Sequence, residues 1–97
     1  MGTVVSQFSV APMVNETGLI TGSASAVQFP DRPCLMVRLS AKISNNGVVR
    51  IGGSVSTCFW ELSAGEDSGW VALRNLNQLY YSTTSGSADQ LIFWLQK

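Results

Sequence analysis

Acidic side chains are the first residues in this chain that could do chemistry, because a pair of carboxylates can exchange protons with a bound substrate. Glu66 and Asp67 are adjacent, and a glycosidase-like pair would have to come from Asp31, Glu61 and Asp89. However, Glu66 and Asp67 fall in a predicted turn, and no spacing brings the other three together. The chain also contains no histidine, the commonest general base and metal ligand. We therefore predict no catalytic residues and expect that the protein is not an enzyme.

Two cysteines and one glycine pair are the remaining candidates for a metal or cofactor site. Cys34 and Cys58 alone do not provide the three or four protein ligands of a zinc site. Gly52-Gly53 is followed neither by a predicted helix nor by the Lys-Ser/Thr pair of a phosphate-binding loop. We therefore predict no metal and no cofactor. Each cysteine is expected to be a small buried hydrophobic residue, and a disulfide between the two is the alternative.

Aromatic side chains are candidates for binding rather than for catalysis. An array of such rings could stack on a sugar, but in a chain of 97 residues aromatic rings more commonly pack in the core or at an interface. We follow the second interpretation and draw the candidate interface residues from five positions. These are Trp60, Trp70, Tyr80, Tyr81 and Trp94.

The composition indicates one small, neutral domain that favours association. Hydrophobic residues make up 45% of the 97 positions and charged residues only 12%, against about 25% in typical soluble domains. Six Lys and Arg balance six Asp and Glu, so the net charge is zero and a basic nucleic-acid footprint is absent. Because weakly charged neutral surfaces promote association, we expect a component of an assembly that has no nucleic-acid partner.

The distribution of apolar and basic residues gives no sign of membrane insertion. No stretch approaches eighteen consecutive apolar residues, and the amino end lacks the basic region and apolar core of a secretory signal. We therefore expect no membrane-spanning helix and no membrane partner. Four basic residues are spread along the chain and are expected to act as solubilising charges: Arg38, Lys42, Arg50 and Arg74.

Alternation of apolar and polar residues is clearest in residues 35–43, a pattern that predicts a β-strand with one buried face. The predicted inward side chains are Leu35, Val37, Leu39, Ala41 and Ile43. The alternating residues that we expect mostly to face water are Met36, Arg38, Ser40 and Lys42. Asn45-Asn46-Gly47 then supplies residues that tolerate the positive φ of a tight hairpin turn. We therefore predict that residues 48–51 return antiparallel to this strand, with Val49 and Ile51 inward.

Turn residues recur at short intervals along the rest of the chain, so no helix-length periodicity survives. Further strands are predicted at residues 4–10, 19–21, 55–62, 69–73, 79–83 and 91–95, with turns at residues 15–18, 64–67 and 75–77. The predicted fold is all-β, a small antiparallel β-sandwich or jelly-roll-like domain with short hairpins over residues 26–97. Residues 1–25 are expected to form an amino-terminal arm or to be part of the same sheet.

The later strands are apolar on both faces. In residues 91–95, Leu91, Phe93 and Leu95 alternate with Ile92 and Trp94. A strand of this kind needs cover on both sides. Either the amino-terminal segment covers the second face or a neighbouring subunit does, since exposed aromatic patches commonly mark contacts between proteins.

The order of these elements resembles a known family. The segments that carry the resemblance are Ala26-Val27-Gln28-Phe29-Pro30-Asp31 with Pro33-Cys34, then Asn46-Gly47-Val48-Val49 and Ile51-Gly52, Leu62-Ser63-Ala64-Gly65-Glu66, Asn75-Leu76-Asn77-Gln78-Leu79-Tyr80 and residues 89–94. Over residues 26–95 the chain is similar to small virion proteins of tailed bacteriophages. Such proteins are β-sandwich or jelly-roll modules, and some are capsid decoration proteins, also called cement proteins. The resemblance carries no catalytic residues.

The resemblance implies a function as a virion structural protein. The leading expectation is a decoration protein that binds and stabilises the assembled phage head. Its expected partners are the major capsid protein, copies of itself, or both, as a homo-oligomer for which a trimer is one candidate. Its expected location is the virion, after assembly in the host cytoplasm. The alternative is a tail-associated module of a fibre or baseplate, with a structural or glycan-binding role.

Overall fold

Eight β-strands form two antiparallel four-stranded sheets in the computed structural model, which describes residues 16–97. The strands are β1 (Glu16–Thr21), β2 (Val27–Gln28), β3 (Met36–Ala41), β4 (Val49–Gly52), β5 (Trp60–Leu62), β6 (Asp67–Ala72), β7 (Tyr80–Thr83) and β8 (Gln90–Gln96). The first sheet has the order β1-β8-β3-β6 and the second the order β2-β7-β4-β5. Short 3-10 helices at Leu76–Gln78 and Gly86–Ala88 precede β7 and β8. The predicted all-β sandwich is confirmed, and the strand predicted at residues 4–10 lies outside the described residues.

The inward faces of the two sheets meet in one hydrophobic core. The core side chains of β3, β4 and β8 that are at most 6% exposed are Val37, Leu39, Ala41, Val49, Ile51, Leu91, Phe93 and Leu95. Burying each large apolar side chain stabilises the fold by about 1.5–3 kcal/mol. For the strand predicted at residues 35–43, the expected burial of the two terminal side chains is wrong, because Leu35 is 62% and Ile43 is 83% exposed. Both lie outside the pleated part of β3, in the connections that lead into and out of it.

The predicted hairpin between residues 35–43 and 48–51 is also wrong. β3 pairs with β8 and β6, whereas β4 pairs with β7 and β5 in the other sheet. Within residues 16–97, positive φ angles occur at Gly65, Gly69 and Gly86 and not in the Asn45-Asn46-Gly47 segment. Residues 42–48 therefore form an arch that crosses from one sheet to the other.

Asp89 and Asn45 hold the arch against the beginning of β8. The Asp89 carboxylate is fully buried and accepts hydrogen bonds from the backbone N–H groups of Asn46 (2.7 Å) and Gly47 (2.8 Å). The Asn45 side chain accepts from the N–H of Gln90 and donates to its carbonyl, both at 2.8 Å. These contacts replace the turn hydrogen bonds that a hairpin would have used.

Gly47 is needed in the arch for space rather than for a positive φ angle. A Cβ atom at this position would overlap the Thr84 hydroxyl and lie 2.7 Å from the Ser85 hydroxyl. The Thr84 hydroxyl itself accepts the backbone N–H of Val48 at 2.9 Å. The arch therefore packs directly on the connection that follows β7.

The structure also corrects two predicted strand boundaries, those of β1 and β5. The turn predicted at residues 15–18 is occupied from Glu16 onward by β1, which pairs with β8 from Glu16 opposite Leu95 to Thr21 opposite Gln90. The described part of residues 1–25 thus contributes an edge strand to the first sheet. The strand predicted at residues 55–62 is shortened to β5, because residues 53–59 form a loop.

Both cysteines are free and buried, as the sequence predicts. Cys34 lies 3.6 Å from the carbonyl oxygen of Leu73, to which its thiol donates. Burial raises the pKa of both Cys34 and Cys58. A raised pKa reduces the thiolate fraction, so both side chains behave as small packing residues.

The buried carboxylate provides a direct test of the arch. In Asp89→Asn, the amide nitrogen cannot accept a hydrogen bond, so one of the two backbone N–H groups of the arch loses its partner. We expect the free energy of unfolding to fall by about 1–3 kcal/mol, measured by urea denaturation. The matched control is Asp31→Asn, because Asp31 is exposed and the new amide oxygen can still accept from Asn75. Equal stability of the two variants would contradict the role of Asp89.

Candidate binding surface

The structure separates the five aromatic residues from which we drew the candidate interface. Tyr81 is a core residue, 8% exposed, with its ring centroid 4.6 Å from that of Phe29. Its hydroxyl donates to the carbonyl oxygen of Thr21 at 3.2 Å, and burial raises its pKa. Because this ring is enclosed between the two sheets, we remove Tyr81 from the candidate interface residues.

Trp60 and Tyr80 belong to the second sheet. Trp60 is 45% exposed on edge strand β5, directly opposite Ile51. Tyr80 is half-buried at the beginning of β7. Because Ile51 is buried, Trp60 lies on the core-facing side of this edge strand. The outward side carries an exposed ion pair instead, in which Arg50 Nε lies 3.0 Å from Glu61 Oε2. This side of the sandwich is therefore largely polar.

Trp70 and Trp94 lie on the first sheet, on the side that points away from the core. Arg38 of β3 is opposite Trp94 of β8 on one side and Trp70 of β6 on the other. Residues directly opposite each other in antiparallel strands have Cβ atoms about 4.5–5.5 Å apart, so the three side chains form one continuous row. We define the outer face as the surface formed by Leu19, Met36, Arg38, Asp67, Trp70, Ile92 and Trp94.

A β-bulge in β6 places Asp67 and Trp70 on this same face. Trp70 is opposite Arg38 and Asp67 is opposite Ser40, so β6 spans three residues where β3 spans two. Gly69 lies in the bulge with a φ of 72°, a conformation that glycine adopts without a Cβ clash. The backbone N–H of Gly69 donates to the Asp67 carboxylate. The bulge therefore brings a carboxylate within reach of Arg38.

The two charges of the outer face neutralise each other. Arg38 Nε lies 2.7 Å from Asp67 Oδ2, and Arg38 Nη2 contacts the same oxygen. This hydrogen bonding raises the pKa of Arg38 and is the largest cause of the lowered pKa of Asp67, followed by the N–H of Gly69. The Arg38 guanidinium carbon also lies 4.9 Å from the centroid of the Trp94 ring, within cation–π distance. Arg38 is thus held by an anion and by an aromatic ring.

The position of β8 explains why its two faces are both apolar. β8 lies between β1 and β3, so Ile92 is flanked by Leu19 and Ser40. Trp94 is flanked by Thr17 and Arg38. These neighbours leave Ile92 and Trp94 half-buried. All eight strands of residues 16–97 belong to the two sheets, so in this part of the chain no third strand layer covers the outer face. Leu19 remains 55% and Trp70 38% exposed.

The carboxylates considered for catalysis have separate structural contacts. Asp67 pairs with Arg38, and Glu61 pairs with Arg50. Asp31 accepts a hydrogen bond from the Asn75 side chain, and Glu66 accepts one from the backbone N–H of Ser63. Asp89 holds the arch. Among residues 16–97, no three His, Cys, Asp or Glu side chains come close enough together to hold a metal ion. In the same part of the chain, no helix is long and apolar enough to cross a membrane.

Arg38 is the surface residue that the sequence analysis missed. We expected a solubilising charge, but the side chain has defined contacts with Asp67 and Trp94. The period-two pattern correctly predicts that Arg38 points away from the core. Its neighbours depend on strand order and on the bulge in β6, which the alternation of residues does not encode.

The Arg38–Asp67 pair can be tested by its effect on titration. In Arg38→Gln, we expect the pKa of Asp67, measured by NMR, to rise partway toward its ordinary value, because the Gly69 N–H bond remains. Since the wild-type pKa is lowered, the pair stabilises the fold above the unfolded-state pKa and loses this effect as pH falls through the folded-state pKa. Stability should therefore fall less steeply with acidification in the variant. Arg50→Gln is the control, and an equal Asp67 pKa in both variants would contradict the pairing.

Comparisons with known proteins identify no relative of this chain. No family model matches it, and no curated protein and no solved structure matches it. A β-sandwich hosts many unrelated functions, so the fold alone does not indicate one. A function for this chain therefore has to be inferred from the chemistry of the outer face and from the sequence resemblance.

Proposed function

We propose that this protein is a virion structural protein, a decoration protein that binds the assembled head of a tailed bacteriophage and stabilises it. The observation that carries the binding role is the outer face, on which two tryptophans lie beside one internally neutralised ion pair. The assignment to a phage head rests on the sequence resemblance over residues 26–95.

The chemistry of the outer face suits a contact with another protein. The centres of protein interfaces are enriched in aromatic residues and arginine and depleted of other charges. Trp70, Ile92 and Leu19 would supply apolar area, and Trp94 with Arg38 a second anchor. Arg38 is already held by Asp67 and Trp94, so less side-chain freedom would be lost on binding.

Head stabilisation would follow from mass action. A protein that binds only the assembled shell shifts the equilibrium toward that shell by RT ln(1 + [L]/Kd), where [L] is its free concentration. The sheet is well suited to this role because its strands present the anchors on a rigid backbone. The partner would then be a flat surface of major capsid protein, present only after assembly.

A tail-associated, glycan-binding module is the second candidate. The observation that favours it is the partly exposed Trp70 ring beside the Asp67 carboxylate and the Arg38 guanidinium. Sugar rings stack on indole while their hydroxyl groups exchange hydrogen bonds with such charged groups. Copy number per virion distinguishes the two candidates, since hundreds of copies indicate the head and a dozen or fewer indicate the tail.

Binding to phage heads that lack this chain tests the proposal. Trp70→Thr removes the aromatic anchor and keeps a residue that favours strands. We expect its dissociation constant from heads, measured by co-sedimentation, to rise at least tenfold, as for an interface residue worth more than about 1.4 kcal/mol. Tyr80→Thr, on the second sheet, is the matched control and should bind as the wild type does.

Two outcomes would overturn the head assignment. One is the absence of saturable binding of the wild-type chain to heads. The other is unchanged thermal stability of heads after the chain has bound. Quenching of tryptophan fluorescence by host polysaccharide, abolished in Trp70→Thr, would support the tail-associated candidate instead.

A further inference from the structure

The edge strands of the two sheets differ in how well they are protected against pairing with another strand. An edge strand carries a row of unpaired N–H and C=O groups, and proteins shield such edges by keeping them short, bulged or charged. In the second sheet, the edge strands β2 and β5 are only two and three residues long. In the first sheet, β6 is interrupted by the bulge at Gly69 and carries the Asp67 carboxylate. Each of these edges is therefore protected.

The edge strand β1 has none of these protections. It is six residues long and pairs with β8 in one unbroken register, from Glu16 opposite Leu95 to Thr21 opposite Gln90. It contains no proline and no lysine, and its only charged residue is Glu16, at its first position. Within residues 16–97, no strand pairs with its other side. In this part of the chain, β1 is thus the edge that can accept a further strand over its full length.

A hydrogen bond at the end of β1 shows which backbone groups point to its open side. The N–H of Gly22 donates to the Asp89 carbonyl at 2.7 Å, in continuation of the register between β1 and β8. Because hydrogen-bonded and non-hydrogen-bonded pairs alternate along an antiparallel ladder, the backbone groups of Ile20 and Gly18 also face β8. The residues of β1 whose backbone groups face away from β8 are therefore Thr17, Leu19 and Thr21.

These three outward residues read the same in both directions. Leu19 lies midway between Thr17 and Thr21, so the pattern is Thr-x-Leu-x-Thr. When two β1 strands lie antiparallel about a two-fold axis at Leu19, each Leu19 faces its own counterpart and each Thr17 faces a Thr21. Each facing pair exchanges both of its backbone hydrogen bonds, and opposite threonines can also bond through their side chains. The Thr21 carbonyl accepts the Tyr81 hydroxyl at 3.2 Å and keeps a second lone pair for the other copy.

The apolar side chains of β1 fit the same register. Gly18 of one copy is opposite Ile20 of the other, so the branched side chain of Ile20 lies beside a residue that has no side chain. Leu19 is 55% exposed in the single chain and packs against Leu19 of the second copy on the side of the outer face. The register therefore covers an exposed leucine without crowding the inward side of the strand.

The charges of β1 also permit this register. Glu16 faces Gly22 of the second copy, so no like charges are directly opposite each other. Its carboxylate is already paired within its own copy, with Lys97 Nζ at 2.7 Å and Arg32 Nε at 3.1 Å. The zero net charge of the chain adds no long-range repulsion between copies.

We propose that two copies of this chain associate edge to edge through their β1 strands, in the antiparallel register that places Leu19 on the two-fold axis. The first sheets of the two copies, with four strands each, then form one continuous sheet. The assembly closes as a dimer, because both copies use the same edge. Trp70 lies on β6, at the opposite edge of the sheet, and stays uncovered in the dimer.

Analytical ultracentrifugation of the full chain over a range of concentrations tests the association. We expect a monomer–dimer equilibrium for the wild type. In Leu19→Lys, two ammonium groups meet on the axis, so the dissociation constant should rise at least tenfold. The matched control is Ile43→Lys, which adds the same charge at an exposed side chain of the arch and should dimerise as the wild type does. Trp70→Thr should also dimerise normally while binding heads weakly, so failure of this inference and failure of the proposed function are distinguishable.

Amide hydrogen exchange, measured by NMR, tests the backbone pairing. The N–H groups of Gly18 and Ile20 bond to β8 and should exchange slowly at every protein concentration. The N–H groups of Leu19 and Thr21 face the open side, so they should become protected only at concentrations where the dimer forms. Exchange at Leu19 that does not depend on protein concentration would overturn the proposed pairing.

A charge exchange on the axis tests the register. Among antiparallel registers, only the proposed one places residue 19 opposite residue 19 of the second copy. Leu19→Glu alone should dimerise as weakly as Leu19→Lys, whereas an equimolar mixture places opposite charges on the axis. We therefore expect the mixture to associate more tightly than either variant, with unfolding midpoints showing that both are folded. A monomeric wild type, a Leu19→Lys variant that dimerises as Ile43→Lys does, or a mixture no tighter than its components would each overturn the proposal.

Discussion

The buried carboxylate of Asp89 is the contact on which the two-sheet arrangement depends. A connection that crosses between layers carries backbone N–H groups away from water, and each such group needs a partner. Asp89 satisfies two of them at once, at Asn46 and Gly47, while Asn45 hydrogen-bonds the backbone of Gln90. These bonds attach the arch to the first residue of β8. β8 can therefore lie beside β3, and β4 is directed into the other sheet.

The same attachment determines which side chains meet on the outer face. β3 and β8 pair from Ala41 opposite Leu91 to Met36 opposite Gln96, and within this register Arg38 is opposite Trp94. A shift of one residue would turn every side chain of a strand to the other face, so the buried residues of both strands exclude it. The bulge in β6 then places the Asp67 carboxylate beside Arg38 without disturbing the core. The ion pair of the outer face is thus a consequence of core packing and of one glycine with positive φ.

The period-two pattern was sufficient to predict the all-β class and the inward direction of Val37, Leu39, Ala41, Val49 and Ile51. It was not sufficient to predict strand pairing, because Asn45-Asn46-Gly47 suits a tight turn and an arch equally well. The residue that decides between them, Asp89, lies 43 positions beyond Asn46 in the sequence. Long-range partners of this kind also explain why the sequence pattern predicts neither the contacts of Arg38 with Asp67 and Trp94 nor the burial of Tyr81, a candidate interface residue. Local alternation specifies the face of a residue, whereas its neighbours depend on strand order.

The outer face lies on paired strands, so a hydrogen-bonded backbone holds its side chains in place. The bulge in β6 adds Asp67 and Trp70 to the same face, which suits contact with an extended surface of another protein. With zero net charge, long-range electrostatic attraction contributes little to the rate of association. The lifetime of any complex must therefore come from apolar area buried at short range, which places the energetic weight on the tryptophans of the outer face.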